Sequence, residues 1–322
     1  MTRKEMTRRA LLQGSAALGF MTSLPFSFAG AASYGGGPGL TGGPAQDAAR
    51  HVAGPSPLTP PAKGAIPVAF PISDGAVVID FCGPYEVLRG VTGLDGNSAF
   101  QLYLVADKIA PIKCSGDMLV MPNYTFENAP APKVIVIPAQ NGASEAMVRW
   151  IRTCTKATDV TMSVCTGAFV LAQTGLLSGK AATTHHYAYA DLALQYPNIQ
   201  VMRGYRFVEE GKIATAGGLT SGMDLALRLV ERYYGREKAL DTADNLEYQG
   251  KGWMDSSGAA NQIYAKAKAP TGAVCVICGM PVAPKTGLNS VYQGHIYYFC
   301  SQGHKDTFYA APEKAIQMAA SQ

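Results

Sequence analysis

Cys165 follows directly on the apolar run VTMSV and precedes TGAFVLAQ, a stretch with helical character. A cysteine between a buried strand and a helix N-terminus meets the unpaired N–H groups of the first helical turn, which favour a thiolate. Gly167 permits a tight strand-to-helix turn, so that the side chain can stand out from the strand end. Such a thiol suits nucleophilic attack on an electrophilic carbon, with the backbone N–H of Thr166 steadying the charge that develops. The local spacing alone also fits a small buried cysteine with no chemistry. Two histidines, His185 and His186, follow about twenty residues later.

A second group of chemically capable residues closes the chain. Cys275 and Cys278 form a C-x-x-C knuckle, and Cys300 and His304 form C-x-x-x-H. Two local pairs from separate segments supply four ligands to one tetrahedral metal. Three thiolates and an imidazole favour zinc, with copper or iron as alternatives. Met280 is a candidate soft extra ligand, and His295, in a turn after Gly294, is expected to be exposed. A Cys275–Cys278 disulfide is the competing reading, strained at that spacing. The aromatic run 297–299 supplies much of a very small core, which a metal would staple.

These residues need a frame. Strand patterns occupy residues 66–72, 101–106, 118–122, 133–138, 160–164 and 213–216, and helix patterns residues 80–89, 144–155, 167–174 and 221–234. Short apolar runs alternating with helices predict an α/β fold whose mainly parallel sheet is covered on both faces. Sites in such sheets form at the carboxyl ends of strands, where Cys165 falls. The α/β domain is expected over 65–247, a linker over 248–270 and the small metal-binding α+β module over 271–319.

The chain has 322 residues, 48% hydrophobic and 16% charged, enough for two domains. Much of its net charge of +4 comes from Arg3, Lys4, Arg8 and Arg9, so no nucleic-acid surface is indicated. Seven cysteines are too few for a disulfide scaffold. Arg8-Arg9, a moderately apolar stretch and the small residues Ala29-Gly30-Ala31 resemble a cleavable twin-arginine signal over 1–31. Export to the periplasm or beyond is expected, with no spanning helix in the mature protein. Residues 32–64, rich in Gly, Pro and Ala, read as a flexible linker.

Four stretches in order, VAFPISDGAVVIDFCGPYEVLRG, VIVIPAQNG, SVCTGAFVLAQTGLLSGKAATTHH and GKIATAGGLTSGMDLALRLVERYYGRE, resemble the PfpI and isonitrile hydratase superfamily. This class I glutamine amidotransferase-like group also includes a domain of AraC-type regulators, and the likeness spans roughly 65–247. It implies a flavodoxin-like three-layer sandwich, a reactive cysteine, no cofactor in this domain and a homodimer. Asp80 matches the aspartate placed beside the thiolate in isonitrile hydratases, and Glu86 the helical glutamate of deglycase-like members. Six residues apart on one helix, the two cannot address one atom, and Asp80 ranks first as acid/base partner. His185 matches a histidine that ends a strand near the cysteine in several relatives, and His186 would then face away.

The sequence departs from the pattern twice. Thr166 stands where protease-like members carry histidine. Ala139-Gln140 replaces a glycine pair, which puts the backbone at Ala139 in doubt as the second oxyanion donor. The C-terminal block is similar to YHS metal-binding modules, with His304 in place of their last cysteine. Cys82 and Cys114 are open to a disulfide, although two small buried thiols are the simpler reading. The expectation is an exported cysteine-dependent hydratase or hydrolase acting on a small electrophile. The alternative is a redox- or metal-stress sensor in which Cys165 meets an oxidant.

Overall fold

The computed structural model describes residues 56–254, 273–279, 282 and 288–320. The signal-like segment, most of the first linker, the core of the second and Met280 lie outside the described residues. In chain order the α/β domain runs β1 (Ile66–Pro71), α1 (Val78–Arg89), β2 (Phe100–Ala106), β3 (Ile112–Lys113), β4 (Leu119–Val120) and β5 (Tyr124–Thr125). It continues β6 (Val134–Ile137), α2 (Glu145–Cys154), β7 (Val160–Val164), α3 (Gly167–Gln173), β8 (Ala181–Ala182) and α4 (Tyr189–Gln195). It closes with β9 (Gln200–Val201), β10 (Phe207–Glu210), β11 (Ile213–Ala216), α5 (Ser221–Tyr234) and α6 (Arg236–Asn245).

Seven strands form one sheet in the order β10-β11-β7-β6-β1-β2-β5. All neighbours are parallel except β10 with β11. From β1 the chain steps outward to β2 on one side, then returns to build β6, β7 and β11 on the other, so strand order reverses between β1 and β6. The carboxyl ends of strands at such a reversal part to leave a crevice.

The sheet is covered on both faces, as the doubly apolar strands require. Val134 and Val136 of β6 and Val160, Met162 and Val164 of β7 point into one core, with α1 and α5. Ile135 and Ile137 point into the other, with Met147 and Ile151 of α2 and Ala168, Val170 and Leu171 of α3. The period of two along β6 therefore divides the cores. Each fully buried Val, Ile or Leu contributes about 1.5–3 kcal/mol. The expected flavodoxin-like three-layer sandwich is the observed one.

The packing of the α/β core reaches past residues 65–247 on both sides. Residues 56–58 are tied down: the Arg232 guanidinium donates to the Ser56 carbonyl at 3.3 Å and the Leu58 N–H to the Arg232 carbonyl at 2.7 Å. Past residue 247, Trp253 is fully buried in the first core. One large aromatic ring outweighs a small, polar local composition. β10, α4 and α6 carry no sharp periodicity and were not anticipated. β10 is held by charge: Glu209 pairs with Arg228 at 3.0 Å and with Arg232 at 3.3 Å, all three well buried.

The C-terminal module has a hairpin of β12 (Leu288–Tyr292) and β13 (His295–Phe299), then α7 (Gln302–Ala310) and α8 (Pro312–Ala320). Gln293 and Gly294 both take positive φ, as a two-residue hairpin turn with the sheet's twist demands. Phe308 is fully buried among Tyr292, Tyr297 and Phe299. No helix among the described residues is long and apolar enough to cross a membrane.

Gly167 is a steric requirement of the fold. A Cβ there would press into the Ile137 carbonyl oxygen and come within 2.8 Å of that of Pro138. Gly167→Ala should therefore destabilise the domain by about 1–3 kcal/mol, read from chemical denaturation. A change within experimental error would mean that α3 does not dock against the end of β6 as described.

Candidate functional site

The crevice between β1, β6 and β7 holds an acid and a thiol. Cys165 takes φ 57°, left-handed backbone that a non-glycine residue holds at a cost of roughly 1–3 kcal/mol. Hydrogen bonds oppose that cost. The Cys165 N–H donates to the carbonyls of Ala216 at 3.1 Å and Gly217 at 2.8 Å, and the Thr184 hydroxyl donates to the Cys165 carbonyl at 2.9 Å. The turn aims a buried thiol, 4% exposed, at Asp80.

Asp80 lies in the first turn of α1, completely buried. Its Oδ2 accepts the Ala139 N–H at 3.2 Å. Its Oδ1 meets no regular donor among the described residues, but the Cys165 thiol and the Leu219 N–H lie close enough to favour its charged form. Burial outweighs them and raises the Asp80 pKa to about 7. Burial, then the neighbouring Asp80 charge, pushes the Cys165 thiol up to about 12, against the Thr166 N–H and hydroxyl. The pair thus releases one proton near neutrality and holds the second well above it.

Several sequence expectations change here. The helix terminus does not give a resting thiolate, because loss of water dominates. Glu86 is exposed on the outer side of α1 and pairs with Arg89 at 3.0 Å, so the structure does not bring it to Cys165. The Ala139 N–H is spent on Asp80, leaving Thr166 as the oxyanion donor next to the thiol. The Gln140 amide oxygen instead accepts the Ser73 N–H at 2.6 Å and closes the end of β1.

The expected alternation of His185 and His186 also fails. The strand stops at Ala182, and residues 186–188 make a single 3-10 turn. Both imidazoles stack, with centroids 4.3 Å apart. His185 packs against Gly218, a place no side chain at residue 218 could share. Burial, then His186, lowers the His185 pKa to about 4, so its ring is neutral, and its Nδ1 is buried without a partner among the described residues. Tyr187, which sequence reasoning missed, is exposed; partial burial, then the nearby Cys165 and Asp80, raise its pKa. Only its adjacency to the histidine pair could have pointed to it. The Gly217–Leu219 loop behind the thiol is anchored by Arg206, whose carbonyl accepts the Gly217 N–H at 2.7 Å and whose guanidinium pairs with buried Asp224.

The four expected metal ligands converge. One ligand atom each of Cys275, Cys278, Cys300 and His304 lies within 4.8 Å of every other. His304 Nδ1 is 3.2 Å from the Cys300 Sγ and 3.4 Å from that of Cys275, and the Cys278 and Cys300 Sγ atoms are 3.6 Å apart. Tetrahedral zinc bonds imply ligand–ligand edges of about 3.5–3.8 Å; the three separations given lie close to that range, and three sulfurs with one imidazole nitrogen are donors suited to the ion. Contacts with Cys278 and His304 hold Cys275 as a thiolate, its pKa down to about 3, and contacts with Asp191 and Cys275 raise that of His304 to about 10. His295 is exposed and takes no part. All seven cysteines are free, Cys82 and Cys114 among them.

Residues 67–232 match the DJ-1/PfpI family and residues 276–317 the YHS domain. An isonitrile hydratase of Pseudomonas putida is 34% identical over 189 residues, 57% of this chain and 79% of that protein. The HTH-type transcriptional regulator GbdR of Pseudomonas aeruginosa is 22% identical over 186 residues, and the match spans 56% of this chain and 50% of the regulator. The crystal structure of a THiJ/PfpI family protein from Pseudomonas syringae superposes with a TM-score of 0.52 at 19% identity, over 80% of this chain and 92% of that one, a likeness of fold.

Replacing Asp80 by asparagine removes the negative charge that raises the thiol. Cys165 alkylation, followed by mass spectrometry across pH, should rise only at alkaline pH in the parent protein. In Asp80→Asn the rise should move to lower pH. Identical profiles would show that the two groups do not interact.

Proposed function

Because the chain belongs to the DJ-1/PfpI family, we propose that it is a cysteine-dependent hydratase or hydrolase acting on a small electrophile of the isonitrile kind. The observation that carries this reading is the buried Asp80–Cys165 pair at the strand reversal. Near pH 7 an ionised Asp80 takes the Cys165 proton as Sγ bonds to the electrophilic carbon, so charge never has to reside on an isolated buried thiolate. Asp80 then passes that proton to the substrate. The Thr166 N–H steadies negative charge at the reacting centre. Water adds to the resulting thioimidate, its oxygen bonding to the carbon and one of its protons going to the nitrogen; as the C–S bond breaks, the remaining hydroxyl proton passes by way of Asp80 to Sγ, giving the formamide by net addition of water. His185, neutral and buried, contributes shape and one acceptor rather than charge.

The C-terminal cluster would hold one divalent ion, zinc by its donor set, as a cross-link between knuckle and helix. Export rests on Arg8-Arg9 and the small residues near 29–31. Association of two copies rests on the exposed Ile79, Met118, Leu119 and Met121, since α1 and the β3–β4 turn adjoin through the Val78 N–H to Ser115 hydroxyl bond at 3.0 Å. A redox sensor is the second reading. It calls for an accessible thiolate, and the burial of Cys165 favours catalysis instead.

Assayed against an isonitrile, Cys165→Ala should fall to background and Asp80→Asn should lose about 10²–10⁴ in kcat/KM, while Glu86→Gln stays within about twofold. The rate should rise with pH through about 7 as Asp80 ionises, a limb absent from Asp80→Asn. Turnover retained by Cys165→Ala would sink the mechanism. Separately, Arg8-Arg9→Lys-Lys should leave the chain in the cytoplasmic fraction of a host that exports the parent.

A further inference from the structure

The two domains meet at the imidazole of His304. Its Nδ1 faces the sulfurs of Cys300 and Cys275, and its Nε2 lies 3.2 Å from the Asp191 carboxylate, 113 residues earlier in the chain, on α4 of the α/β domain. Both side chains are largely buried, 13% and 24% exposed. We propose that Asp191 orients His304 as a metal ligand, so that the module's metal site is completed across the domain boundary and metal loading latches the module onto α4. This rests on reading the Cys/His cluster as a metal site.

The chemistry follows from the donor inventory. A neutral imidazole carries one N–H, and a carboxylate can only accept. Asp191 therefore selects the tautomer with the proton on Nε2 and leaves the Nδ1 lone pair available to a metal held among the cysteine sulfurs. A carboxylate behind a ligating histidine also fixes ring orientation and raises ligand basicity.

The backbone on both sides is held. The Ser301 hydroxyl caps α7 by accepting the His304 N–H at 3.2 Å. On the other side, Ala190, next to Asp191, is buried in the module's own core with Cys275, Ile277, Phe299 and Phe308. Leu192 anchors α4 in the α/β core, and the Tyr189 hydroxyl accepts the Gly204 N–H at 3.0 Å. α4 continues directly from the 186–188 turn, which carries Tyr187 beside Cys165. Asp191 is thus a positioning residue of the metal site, and α4 is shared between the two sites.

The test uses the full chain and zinc in competition with a chromophoric chelator. Asp191→Asn should weaken zinc binding about 10–100-fold. In a His304→Cys background, which keeps four ligands and has no imidazole to orient, the same substitution should change affinity less than about twofold. A role of Asp191 that does not act through His304, such as holding α4 in place, would give equal losses in both backgrounds. Hydrogen exchange across residues 189–195 should slow on adding zinc to the parent protein and not to Asp191→Ala. If the parent itself takes up no zinc, the metal reading and this inference fall together. If the parent binds zinc and Asp191→Asn binds it equally well, or if zinc leaves α4 exchange unchanged, the inference alone is overturned.

Discussion

Everything in the α/β domain converges on one contact between two acids, the buried carboxyl of Asp80 and the thiol of Cys165. Buried side by side, the two do not both ionise near neutrality. Burial, together with the Asp80 carboxyl beside it, disfavours a thiolate at Cys165 on the order of 4 kcal/mol, whereas a helix N-terminus contributes roughly 0.3–1 kcal/mol in its favour. Desolvation wins. The site is therefore built to move one proton rather than to store a free nucleophile, and Asp80, with its pKa near 7, is the group placed to receive it.

The geometry of that contact is held by backbone more than by side chains. The left-handed turn at Cys165 is fixed by the Ala216, Gly217 and Thr184 bonds. Gly167 lets α3 close onto the Ile137 and Pro138 carbonyls. The Ala139 N–H restrains Asp80. Gln140, the next residue, braces the end of β1 through the Ser73 N–H.

The second centre follows a different economy of charge. In the module contacts with Cys278 and His304 favour a thiolate at Cys275, and Asp191 reaches in from α4 to the far nitrogen of the His304 ring. A core built around one phenylalanine, Phe308, is too small to be secure alone. Ala190 of α4 extends it, so part of the module's packing comes from its neighbour.

Much of this was legible in the sequence, for identifiable reasons. Strong periodicity fixed Val160–Val164, Ile213–Ala216 and Ser221–Tyr234 to the residue, because a doubly covered parallel sheet needs unbroken apolar strands and an amphipathic helix over them. The Cys/His ligands were legible because each pair is local, and the elbow because a strand, a cysteine and a glycine stand in succession. What the sequence could not determine is whatever depends on how much water the fold removes. The protonation of Cys165, the exile of Glu86, the stacking of His185 on His186 and the reach of Asp191 to His304 all arise between residues brought together from separate segments or turned by the local backbone. Residue types and spacing name the groups able to do chemistry. Only the tertiary structure sets their dielectric surroundings and their distances, and those decide which group holds the proton.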